Sequence, residues 1–479
     1  MKSDAALRLG ARIRTLRRRH QLTQVRLAEK LGISASYLNL IEHGRRTMSA
    51  ELLLRLAQHF RLELKELAGE DEEHTVADLL EAFGDPIFES YALTSADVRV
   101  LATQAPGAAR ALLGLYESYR ATRESARSLA ERVAEGGELA GVGDFRLPGE
   151  EVSDLVQRHM NYFPDLEEAG ERLWRDARLP GDDLFTALAK HLRDAHGAAV
   201  KIEMVQAMGG AVRRWDPERR ELRLSEVLRR GSRNFQLAHQ IGLLSQSATF
   251  ERISVDSGIA NVESKALARV ALANYFAAAV LMPYEPFVKA AREERYDIEL
   301  LGHRFRTRFE QVCHRLTTLR RPGAEGVPFH LVRADVAGNI SKRFSGSGIR
   351  IARFSGACPR WTLHAAFLTP GMFRVQTSQM PDGTTFFCFA RTIRKDGGGY
   401  HSLHAMQAIE MGCPVEFARE LVYSDGVDLE NPAAAKPVGV TCRLCERSDC
   451  EQRVFPPLQA SMKVDENVRG VSFYAPVRK

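Results

Sequence analysis

The sequence predicts a multidomain α+β protein, and three observations lead to this fold class. First, 479 residues correspond to about three domains at roughly 100–200 residues each. Second, apolar residues recur at helical spacing through most of the chain before residue 300, whereas after residue 325 they alternate with period two, as in β-strands. Third, basic charge is concentrated near the N-terminus, and every cysteine lies at or after position 313. We therefore expect an all-α N-terminal domain (1–70), a helical linker (71–150), a mostly α middle domain (151–300) and an α+β sheet domain (301–479).

Composition and charge favour a soluble protein with an anionic partner. Apolar residues make up 44% of the chain and charged residues 27%, and the mean hydropathy is −0.25. No stretch approaches about 18 consecutive apolar residues, and the charged start of the chain lacks the apolar core of a secretory signal. We therefore expect a cytoplasmic protein without membrane contact. Residues 1–65 carry 14 Lys and Arg against 5 Asp and Glu, which indicates a polyanionic partner for the first domain.

The N-terminal domain contains the pattern of a helix-turn-helix. Thr23 is typical of a residue that caps a helix, and the apolar pattern of 24–31 stops at Gly32. Ser34 then caps a second helix over 35–43. Gly32 fits the turn because a residue with positive φ joins two helices at a steep angle. The second helix turns polar side chains outward, as a recognition helix in a DNA major groove does.

This stretch resembles the XRE family of helix-turn-helix repressors, which implies a double-stranded DNA operator as partner. The matching positions are Thr23-Gln24, Leu27-Ala28, Gly32-Ile33-Ser34 and Glu42-x-Gly44. Polar groups on the second helix are expected to read bases, and groups at helix starts and after the second helix to contact phosphates. The predicted DNA-contacting residues are Gln24, Ser34, Ser36, Tyr37, Asn39, Arg45 and Arg46. A small helical protein-binding module is the alternative.

The linker is predicted to be helical over 75–135. An apolar stripe runs along it through Leu112, Tyr116, Tyr119, Leu129 and Val133. Such a stripe packs either on neighbouring helices of the same chain or on a second copy. Because a helix-turn-helix commonly reads two half-sites, we expect a homodimer, although the stripe itself leaves both readings open.

The middle domain is predicted to combine two short strands, at 199–205 and 221–224, with long apolar helices near 233–246 and 264–282. The end of the second helix, 271–283, resembles a segment of the ImmA/IrrE metallopeptidase family. The resemblance implies a mostly α, zincin-like fold for this domain.

The zinc ligands of that family are missing from this chain. His239 stands where a zincin carries the first histidine of H-E-x-x-H, but the general base is replaced by Gln240 and the second histidine by Leu243. The family's further glutamate has no counterpart in 269–272. Gln cannot deprotonate a metal-bound water, and Leu cannot bind a metal. We therefore predict that the domain is not an enzyme and that His239 is a hydrogen-bonded core residue.

The C-terminal domain is predicted to be a sheet interrupted by helices. Alternating patterns predict strands at 329–336, 349–354, 372–377, 384–390 and 470–474. Helical patterns predict helices near 402–411 and 415–422. Together these elements predict an α+β domain.

Cys442, Cys445 and Cys450 show the C-x2-C-x4-C spacing of a metal centre. Neighbouring arginines supply positive charge that favours thiolates. Zinc requires four nitrogen or sulfur ligands, and a cubane iron–sulfur cluster commonly takes four thiolates. The three thiols therefore predict one of these two metal centres, and either centre requires one further ligand.

Cys358 is the preferred fourth ligand. It lies in a Gly-Ala-Cys-Pro turn, where backbone amides can point at the sulfur. Cys413 is second, because it is expected at the end of a helix, where the dipole disfavours a thiolate. Cys388, in a strand among phenylalanines, and Cys313, within a helix, are expected to be core residues.

The combination of these parts resembles the short-chain fatty acyl transcriptional regulators. Besides the cysteine run, the stretches 313–319, 337–344 and 356–361 carry the similarity. The resemblance implies a regulator of fatty-acid-derived carbon metabolism, such as methylcitrate or glyoxylate-cycle genes. It also implies that an acyl-CoA binds after the helix-turn-helix and that a 4Fe–4S cluster belongs to the C-terminal domain, with zinc as the alternative.

An acyl-CoA needs basic groups for its phosphates and an apolar slot for its acyl end. The candidate residues are Tyr275, Arg304, Phe305, Arg308, Arg315 and Trp361. A solvated basic face is the alternative reading of the arginines. Two other functions stay open: a redox or iron sensor that binds no acyl-CoA, and a zinc endopeptidase that acts on a repressor, against which the missing ligands argue.

Overall fold

The structure is a computed structural model that divides into two compact units, residues 1–116 (unit 1) and 117–479 (unit 2). It describes residues 10, 13–14, 16–17, 22–43, 45–46, 48–60, 70–91, 93–134, 148–177, 179, 183–259, 261–353, 356–395, 404–443, 445–447 and 450–455. The predicted fold class is confirmed: helices before residue 198 are followed by a mixed region and then by a sheet.

Unit 1 is helical throughout its described residues. Its α-helices are α1 (Gln24–Leu31), α2 (Ala35–Glu42), α3 (Ala50–Phe60), α4 (Glu70–Phe83), α5 (Ser95–Gln104) and α6 (Pro106–Ala134), the last of which continues into unit 2. A 3₁₀ helix, Pro86–Tyr91, lies between α4 and α5. The helix-turn-helix has its own apolar core, in which Leu27, Leu38 and Leu56 are fully buried.

The predicted apolar stripe on α6 packs in part within unit 1. Leu112 lies against the core formed by α4 and α5, and the Tyr116 hydroxyl donates a hydrogen bond to Asp85 Oδ2 at 3.1 Å. The side chains of Leu129 and Val133 lie outside the described residues. The homodimer therefore stays a prediction.

Unit 2 begins with helices around a small sheet. Its helices are α7 (Pro148–Arg158), α8 (Pro164–Asp176), α9 (Leu184–His196), α10 (Val205–Met208), α11 (Arg230–Ser245), α12 (Ser247–Asp256), α13 (Val262–Leu281), α14 (Tyr284–Glu293), α15 (Ile298–Arg304) and α16 (Phe309–Leu316). Its first strands are β1 (Ala199–Glu203), β2 (Arg213–Asp216) and β3 (Glu221–Ser225). Strand β3 is central, parallel to β1 and antiparallel to β2. The two long predicted helices, α11 and α13, are present and pack on each other.

A six-stranded sheet follows. Its strands are β4 (His330–Asp335), β5 (Ile340–Ser345), β6 (Arg374–Gln379), β7 (Thr385–Lys395), β8 (Ala405–Pro414) and β9 (Lys436–Pro437), in the order β5–β4–β8–β7–β6–β9. Neighbours are antiparallel except β6 and β9, which are parallel. The short helices of this part are α17 (Thr362–Ala365) and the 3₁₀ helices Ala366–Leu368, Val415–Glu420, Val422–Ser424 and Pro432–Ala434.

Both faces of this sheet are buried. Along β7, Phe387 and Phe389 join a large core that extends from residue 155 to 421, so the predicted middle and C-terminal domains share one core. Phe386 and Cys388 point to the opposite face, where they meet a smaller core that contains Trp361. This alternation follows from the period of two in a strand.

Several predicted elements are wrong or displaced. The helix predicted near 402–411 is strand β8, because pairing with β4 and β7 on both sides overrides the helical propensity of its Ala, Met, Gln and Glu residues. The helix predicted near 415–422 consists of 3₁₀ turns, and the described residues 349–353 contain no strand. Strands β2 and β5 were not predicted, and the strand predicted at 470–474 lies outside the described residues.

Among the described residues, no single helix is long and apolar enough to cross a membrane. Helices α13 and α14 reach that length and hydropathy only as a pair, and they bend by 69° at their junction. Residues 275–281 of α13 are all buried within unit 2.

Candidate functional site

The helix-turn-helix is fixed by two side-chain caps and one left-handed turn. The Thr23 hydroxyl accepts a hydrogen bond from the backbone N–H of Arg26 at 3.2 Å, and the Ser34 hydroxyl accepts one from that of Tyr37 at 3.1 Å. Between them Gly32 has a φ of 70°, a conformation that favours glycine. The predicted caps and turn are therefore confirmed.

A buried carboxylate holds the end of α2 against the preceding helices. Glu42 is 2% exposed, and its oxygens accept hydrogen bonds from Arg17 Nε at 2.6 Å, Arg17 Nη2 at 2.9 Å and Gln24 Nε2 at 2.7 Å. Burial opposes the ionisation of Glu42, but these hydrogen bonds and the charges of Arg17 and Arg14 hold its pKa below the ordinary value. Glu42 is thus a positioning residue for α2.

Most of the predicted DNA-contacting side chains are accessible. The exposed ones are Ser34, Ser36, Asn39, Arg45 and Arg46, and Tyr37 is half-buried. Gln24 differs, because its amide is bonded to Glu42 and lies 3.3 Å from Asn39 Oδ1. The structure therefore gives Gln24 an internal role in orienting α2 that the sequence did not predict.

In the zincin-like part, an arginine lies where a metal would be expected. His239 on α11 is buried, and its Nδ1 lies 2.6 Å from Nη1 of Arg213 on β2. The same guanidinium nitrogen donates to Gln240 Oε1 at 3.1 Å. Burial, together with the charge of Arg213, lowers the pKa of His239 to about 3, so the imidazole is neutral.

Both nitrogens of this imidazole are used by the protein. An arginine can only donate, so Nδ1 accepts from Arg213 and the proton is on Nε2. The imidazole also forms a hydrogen bond with the backbone of Val270, and we assign it to Nε2 because Arg213 engages Nδ1. The expectation that His239 is a hydrogen-bonded core residue is confirmed. In the described part of the chain it also belongs to no group of three metal-ligating side chains.

Two of the predicted acyl-CoA residues form a buried ion-pair network instead of a binding surface. Arg315 is 0% exposed and donates two hydrogen bonds to Glu167, Nη1 to Oε1 at 2.5 Å and Nη2 to Oε2 at 2.9 Å. The buried Tyr275 hydroxyl donates to the same carboxylate at 2.6 Å. This placement corrects the prediction for Arg315 and Tyr275, because their polar atoms join α8, α13 and α16 inside the core.

Three further candidates lie on α15 and at the start of α16. Arg304 is exposed and pairs with two glutamates at the end of α14. Phe305 is half-buried, with its ring centroid 5.2 Å from that of Phe287. Arg308 is exposed at the N-cap of α16. The structure does not bring these three together with Tyr275 and Arg315 into one open site.

A cluster of basic groups surrounds Glu310, two residues after Arg308 in the first turn of α16. The Glu310 carboxylate lies 2.5 Å from Arg333 Nη1, 3.3 Å from Lys395 Nζ and 4.0 Å from Lys342 Nζ. Both lysine side chains are 44% exposed. These residues define the Glu310 cluster, in which three cations share one carboxylate.

The charge of the Glu310 cluster is unbalanced toward positive. Burial opposes the ionisation of Glu310, but the positive charges around it, those of Lys342 and Lys395 among them, hold its pKa well below the usual value. Burial lowers the pKa of Lys342 to about 8, so at neutral pH this lysine is mostly protonated. One negative charge therefore faces about three positive ones, which favours binding of an additional anion.

Cys358 lies beside the cysteine loop, defined as the described residues from 439 to 450. Its sulfur receives hydrogen bonds from the backbone N–H groups of Arg360 and Gly439, and Cys442 and Cys445 are close enough to interact with it electrostatically. Burial raises the pKa of Cys358, whereas the two N–H groups lower it. The backbone geometry expected for this turn is therefore present.

Trp361 holds the cysteine loop against the smaller core. Its indole Nε1 donates to the carbonyl oxygen of Gly439 at 2.8 Å, and the side chain is buried in the smaller core. This corrects the prediction that Trp361 lines an acyl-CoA site. Cys313 and Cys388 are core residues as expected, whereas Cys413 lies in β8 and points into the large core.

Two arginines organise the loop through its carbonyl groups. The buried guanidinium of Arg453 donates to the carbonyl oxygens of Cys442 at 2.5 Å and Cys445 at 2.8 Å. Arg447 Nη2 donates to the carbonyl oxygens of Gln379 at 2.9 Å and Met380 at 3.2 Å. The arginines expected to stabilise thiolates thus hold the backbone of the loop and tie it to the end of β6.

Comparison with known proteins identifies the family. Residues 318–474 match the family described as short-chain fatty acyl coenzyme A regulator, C-terminal; residues 193–317 match an IrrE N-terminal-like domain, and residues 8–68 match a helix-turn-helix domain. A propionyl-CoA carboxylase regulator of Cereibacter sphaeroides is 41% identical over 469 residues, which cover 97% of this chain and 98% of the relative. The chain belongs to the short-chain fatty acyl-CoA regulator family.

Other members of the family are similar over nearly the whole chain. The HTH-type transcriptional regulator PrpR of Mycobacterium tuberculosis is 39% identical over 458 residues, covering 96% of this chain and 93% of the relative. RamB of the same species is 37% identical over 470 residues, with coverages of 97% and 98%. A solved Mycobacterium tuberculosis transcriptional regulator, 42% identical, superposes with a TM-score of 0.66 and covers 69% of this chain and 100% of that chain. This regulator is therefore a helix-turn-helix transcription factor.

Sequence reasoning missed three residues that shape these sites of the regulator. Glu42 was recognised only as part of the helix-turn-helix pattern. A carboxylate among the core-facing residues of a helix is nevertheless a signal for a buried ion pair. Arg213 was missed because strand β2 was not predicted. Glu310 was missed because its basic partners lie on β4, β5 and β7, whose pairing cannot be read from the sequence.

Proposed function

We propose that this regulator binds operator DNA through α2 and responds to a short-chain acyl-CoA bound by unit 2, and that it cleaves no peptide. The observation that carries the proposal is the position of Arg213 between His239 and Gln240. The guanidinium of Arg213 competes with any metal ion at His239. We therefore propose that the zincin-like part is a scaffold for ligand binding and not a peptidase. The Cereibacter sphaeroides relative is named a propionyl-CoA carboxylase regulator, which supports propionyl-CoA metabolism as the regulated process. We propose propionyl-CoA as the signal and methylcitrate or glyoxylate-cycle genes as the targets.

The Glu310 cluster is the proposed site for the phosphates of the CoA moiety. Coenzyme A is a polyanion, and Lys342 and Lys395 offer accessible ammonium groups beside Arg333. Arg308 is exposed at the N-cap of the same helix, two residues before Glu310, and stays in the proposal as a further flanking contact. Arg304 and Phe305 stay in the proposal as flanking contacts, whereas Tyr275 and Arg315 support the fold beneath.

A cavity elsewhere in unit 2 is a poorer candidate for this ligand. It is lined by four acidic residues and three arginines, namely Glu117, Glu150, Glu151, Asp154, Arg120, Arg158 and Arg353. Several of these charges are paired with one another, for example Arg353 with Asp154 at 2.6 Å. A polyanion gains little there, because the lining holds four carboxylates against three arginines.

For DNA binding, we propose a homodimer whose two α2 helices enter successive major grooves. Ser36 and Asn39 are exposed on α2 and have the donors and acceptors that read base edges. Arg45 and Arg46 follow α2 and are exposed, which suits contacts with phosphates. Ligand binding would then act on operator affinity by changing the placement of the two DNA-binding heads.

For the cysteine loop, we propose a 4Fe–4S cluster held by Cys358, Cys442, Cys445 and Cys450. Four thiolates are the common ligand set of such a cluster. The N–H groups that face Cys358 suit a thiolate ligand. Such a cluster would supply a one-electron redox change.

Calorimetric titration of the purified full chain tests the acyl-CoA proposal. Propionyl-CoA is expected to bind, and the double variant Lys342→Gln/Lys395→Gln to weaken binding about tenfold or more through loss of two charge-assisted contacts. Lys289→Gln is the matched control, because Lys289 is an exposed lysine paired with Glu293 at 3.8 Å away from the cluster. Equal affinity in all three proteins would refute the phosphate site.

Operator binding at several salt concentrations tests the DNA proposal. Arg45→Ala and Arg46→Ala are expected to weaken binding equally on all sequences and to flatten its salt dependence, because phosphate contacts release counterions. Ser36→Ala and Asn39→Ala are expected to change sequence preference instead. Intact operator binding in all four variants would show that α2 is not the recognition helix.

A redox sensor that binds no acyl-CoA is the second candidate, favoured by the N–H groups directed at Cys358. Anaerobic reconstitution of Cys358→Ser and Cys413→Ser, with an iron assay and a visible spectrum, separates the fourth-ligand candidates. Loss of iron in Cys358→Ser alone is the expected result, and loss in Cys413→Ser alone would contradict it. One bound zinc and no iron in the unmutated protein would replace the cluster by a structural zinc site.

A further inference from the structure

Three metal-ligating side chains meet on the smaller-core face of the six-stranded sheet. His330 on β4 and Cys388 on β7 are both opposite Gly412 of the central strand β8, and Glu410 lies two residues earlier on β8, hence on the same face. All three side chains are buried. Their ligand atoms lie within 4.8 Å of one another, and no other such group occurs within the described ranges.

Gly412 creates the space in which this trio meets. A Cβ added at this position would lie 2.7 Å from His330 Nε2 and 2.4 Å from its Cε1, so any other residue would displace the imidazole. Without a side chain there, Nε2 of His330 reaches to 3.8 Å from the sulfur of Cys388. A tetrahedral zinc with ordinary bonds to sulfur and nitrogen holds these two atoms about 3.6 Å apart. The separation of the two ligand atoms is therefore already close to that of a zinc site.

Each of the three groups has a further hydrogen bond that orients it. His330 Nδ1 lies 2.8 Å from the hydroxyl of Ser347, and one Glu410 oxygen accepts the backbone N–H of Leu363 at 2.5 Å. The Cys388 sulfur is hydrogen-bonded to the hydroxyl of Ser378. Metal ligands typically have such partners on their outer side, which fix the ligand atom toward the metal.

The trio also lacks a positive charge of its own. No Lys or Arg among the residues that the structure describes forms an ion pair with Glu410, although this carboxyl is 1% exposed. A hydrophobic surrounding penalises an uncompensated carboxylate, and a divalent cation would supply the missing charge.

We propose that His330, Cys388 and Glu410 form a buried zinc site that joins three adjacent strands of the sheet, β4, β8 and β7. One nitrogen, one sulfur and one oxygen ligand suit zinc, which accepts all three donor types, and leave one of its four positions for a water molecule. The site shares no residue with the proposed cluster or with the Glu310 cluster. Its role is structural, since it ties β4, β8 and β7 beneath the cysteine loop.

Zinc content of the purified full chain tests this proposal. After equilibration with zinc and removal of loosely bound metal, Cys388→Ala and Glu410→Gln are expected to contain one zinc per chain less than the unmutated protein. Cys413→Ala is the matched control, because Cys413 is a buried thiol on β8 that points to the opposite face. Equal zinc content in all four proteins, or no zinc in the unmutated protein, overturns the site.

Thermal unfolding distinguishes a metal site from a loss of folding. A ligand that binds only the folded state raises the melting temperature, so zinc is expected to raise it in the unmutated protein and in Cys413→Ala. The isosteric Glu410→Gln is expected to fold but to show no zinc-dependent shift. If Cys388→Ala does not fold, Glu410→Gln decides alone: a zinc-dependent shift equal to that of the unmutated protein refutes the proposal.

Cobalt provides a spectroscopic check on the ligand atoms. With Cys442, Cys445 and Cys450 replaced by Ser, the full chain is expected to bind one Co²⁺ with a thiolate charge-transfer band and the intense visible bands of tetrahedral cobalt. The added change Cys388→Ala removes the charge-transfer band. A band that survives this change shows that another thiol holds the metal, and the proposed site is then wrong.

Discussion

Two of the buried glutamates in unit 2, Glu167 and Glu410, have their negative charge compensated in opposite ways. Glu167 and Glu410 are each 1% exposed. Both oxygens of Glu167 accept hydrogen bonds from Arg315, and the Tyr275 hydroxyl adds a third. Glu410 accepts one backbone N–H, and the described residues offer it no arginine or lysine. The charge of Glu167 is thus balanced by the folded chain itself, whereas that of Glu410 must be neutralised by a proton or a bound metal ion.

Two buried histidines among the described residues of unit 2 repeat the contrast. His239 has a protein partner on each nitrogen, Arg213 on Nδ1 and the backbone of Val270 on Nε2. His330 is held at Nδ1 by Ser347, while its Nε2 faces the thiol of Cys388. His239, which resembles a metal ligand in sequence, is therefore bonded to an arginine. His330, which no sequence motif marks, lies beside two further metal-ligating side chains.

The largest expected effect comes from breaking the compensated pair. Glu167→Ala leaves the guanidinium of Arg315 buried without a counter-charge, which typically costs about 3–5 kcal/mol in the free energy of unfolding. All three tryptophans, Trp174, Trp215 and Trp361, lie in unit 2, so denaturant unfolding followed by tryptophan fluorescence reports on this unit.

Two controls sharpen that experiment. Glu168→Ala changes the neighbouring, 67% exposed glutamate of α8 and is expected to shift stability by less than about 0.5 kcal/mol. Glu167→Leu combined with Arg315→Met removes both charges and is expected to recover most of the loss. A cost below about 1 kcal/mol for Glu167→Ala would show that the pair does not hold α8 and α16 together.

The elements that the sequence predicts well are those with local causes. The caps Thr23 and Ser34, the turn at Gly32 and the helices α11 and α13 depend on neighbouring residues and on a regular apolar pattern. The interpretation of His239 as a core residue was local too, because Gln240 and Leu243 stand where the metallopeptidase motif has a glutamate and a second histidine.

The elements that it predicts poorly depend on strand pairing. Residues 405–414 contain good helix formers, yet they form the central strand β8 because both neighbours pair with it. The trio of His330, Cys388 and Glu410 was missed for the same reason, since only the register of three strands brings it together. Arg315 was misread as a ligand contact because its partner Glu167 is 148 positions away in the chain.

A smaller effect is expected at the histidine that the chain already satisfies. His239→Ala removes the acceptor of Arg213 and leaves a small cavity, so a cost of about 1–3 kcal/mol is expected without any change in zinc content. His303→Ala, at an exposed position, is the matched control and should be nearly neutral. Loss of one zinc specifically in His239→Ala would reverse the comparison between the two histidines.

The smallest effect concerns Glu42 in unit 1, another buried glutamate whose charge is compensated like that of Glu167. Its pKa is held below the ordinary value of 4.5, because the hydrogen bonds from Arg17 and Gln24 outweigh the penalty of burial. A carboxyl with a lowered pKa stabilises the fold fully above its unfolded pKa, and this stabilisation is lost as the pH falls through the folded pKa. Glu42→Gln keeps the shape but removes the charge, so we expect a cost of about 1 kcal/mol at pH 7 that diminishes below about pH 4.5.

Hydrogen exchange of peptides that cover α1 and α2, corrected for the intrinsic pH dependence of exchange, measures this cost locally. Glu51→Gln is the control, because Glu51 is 76% exposed in its ion pair with Arg55 and should leave protection unchanged at every pH. The sign of the pH dependence decides the comparison. A difference between Glu42→Gln and the unmutated protein that grows on acidification would mean that Glu42 is protonated in the folded state, and it would then belong with Glu410, whose charge the chain does not balance, and not with Glu167.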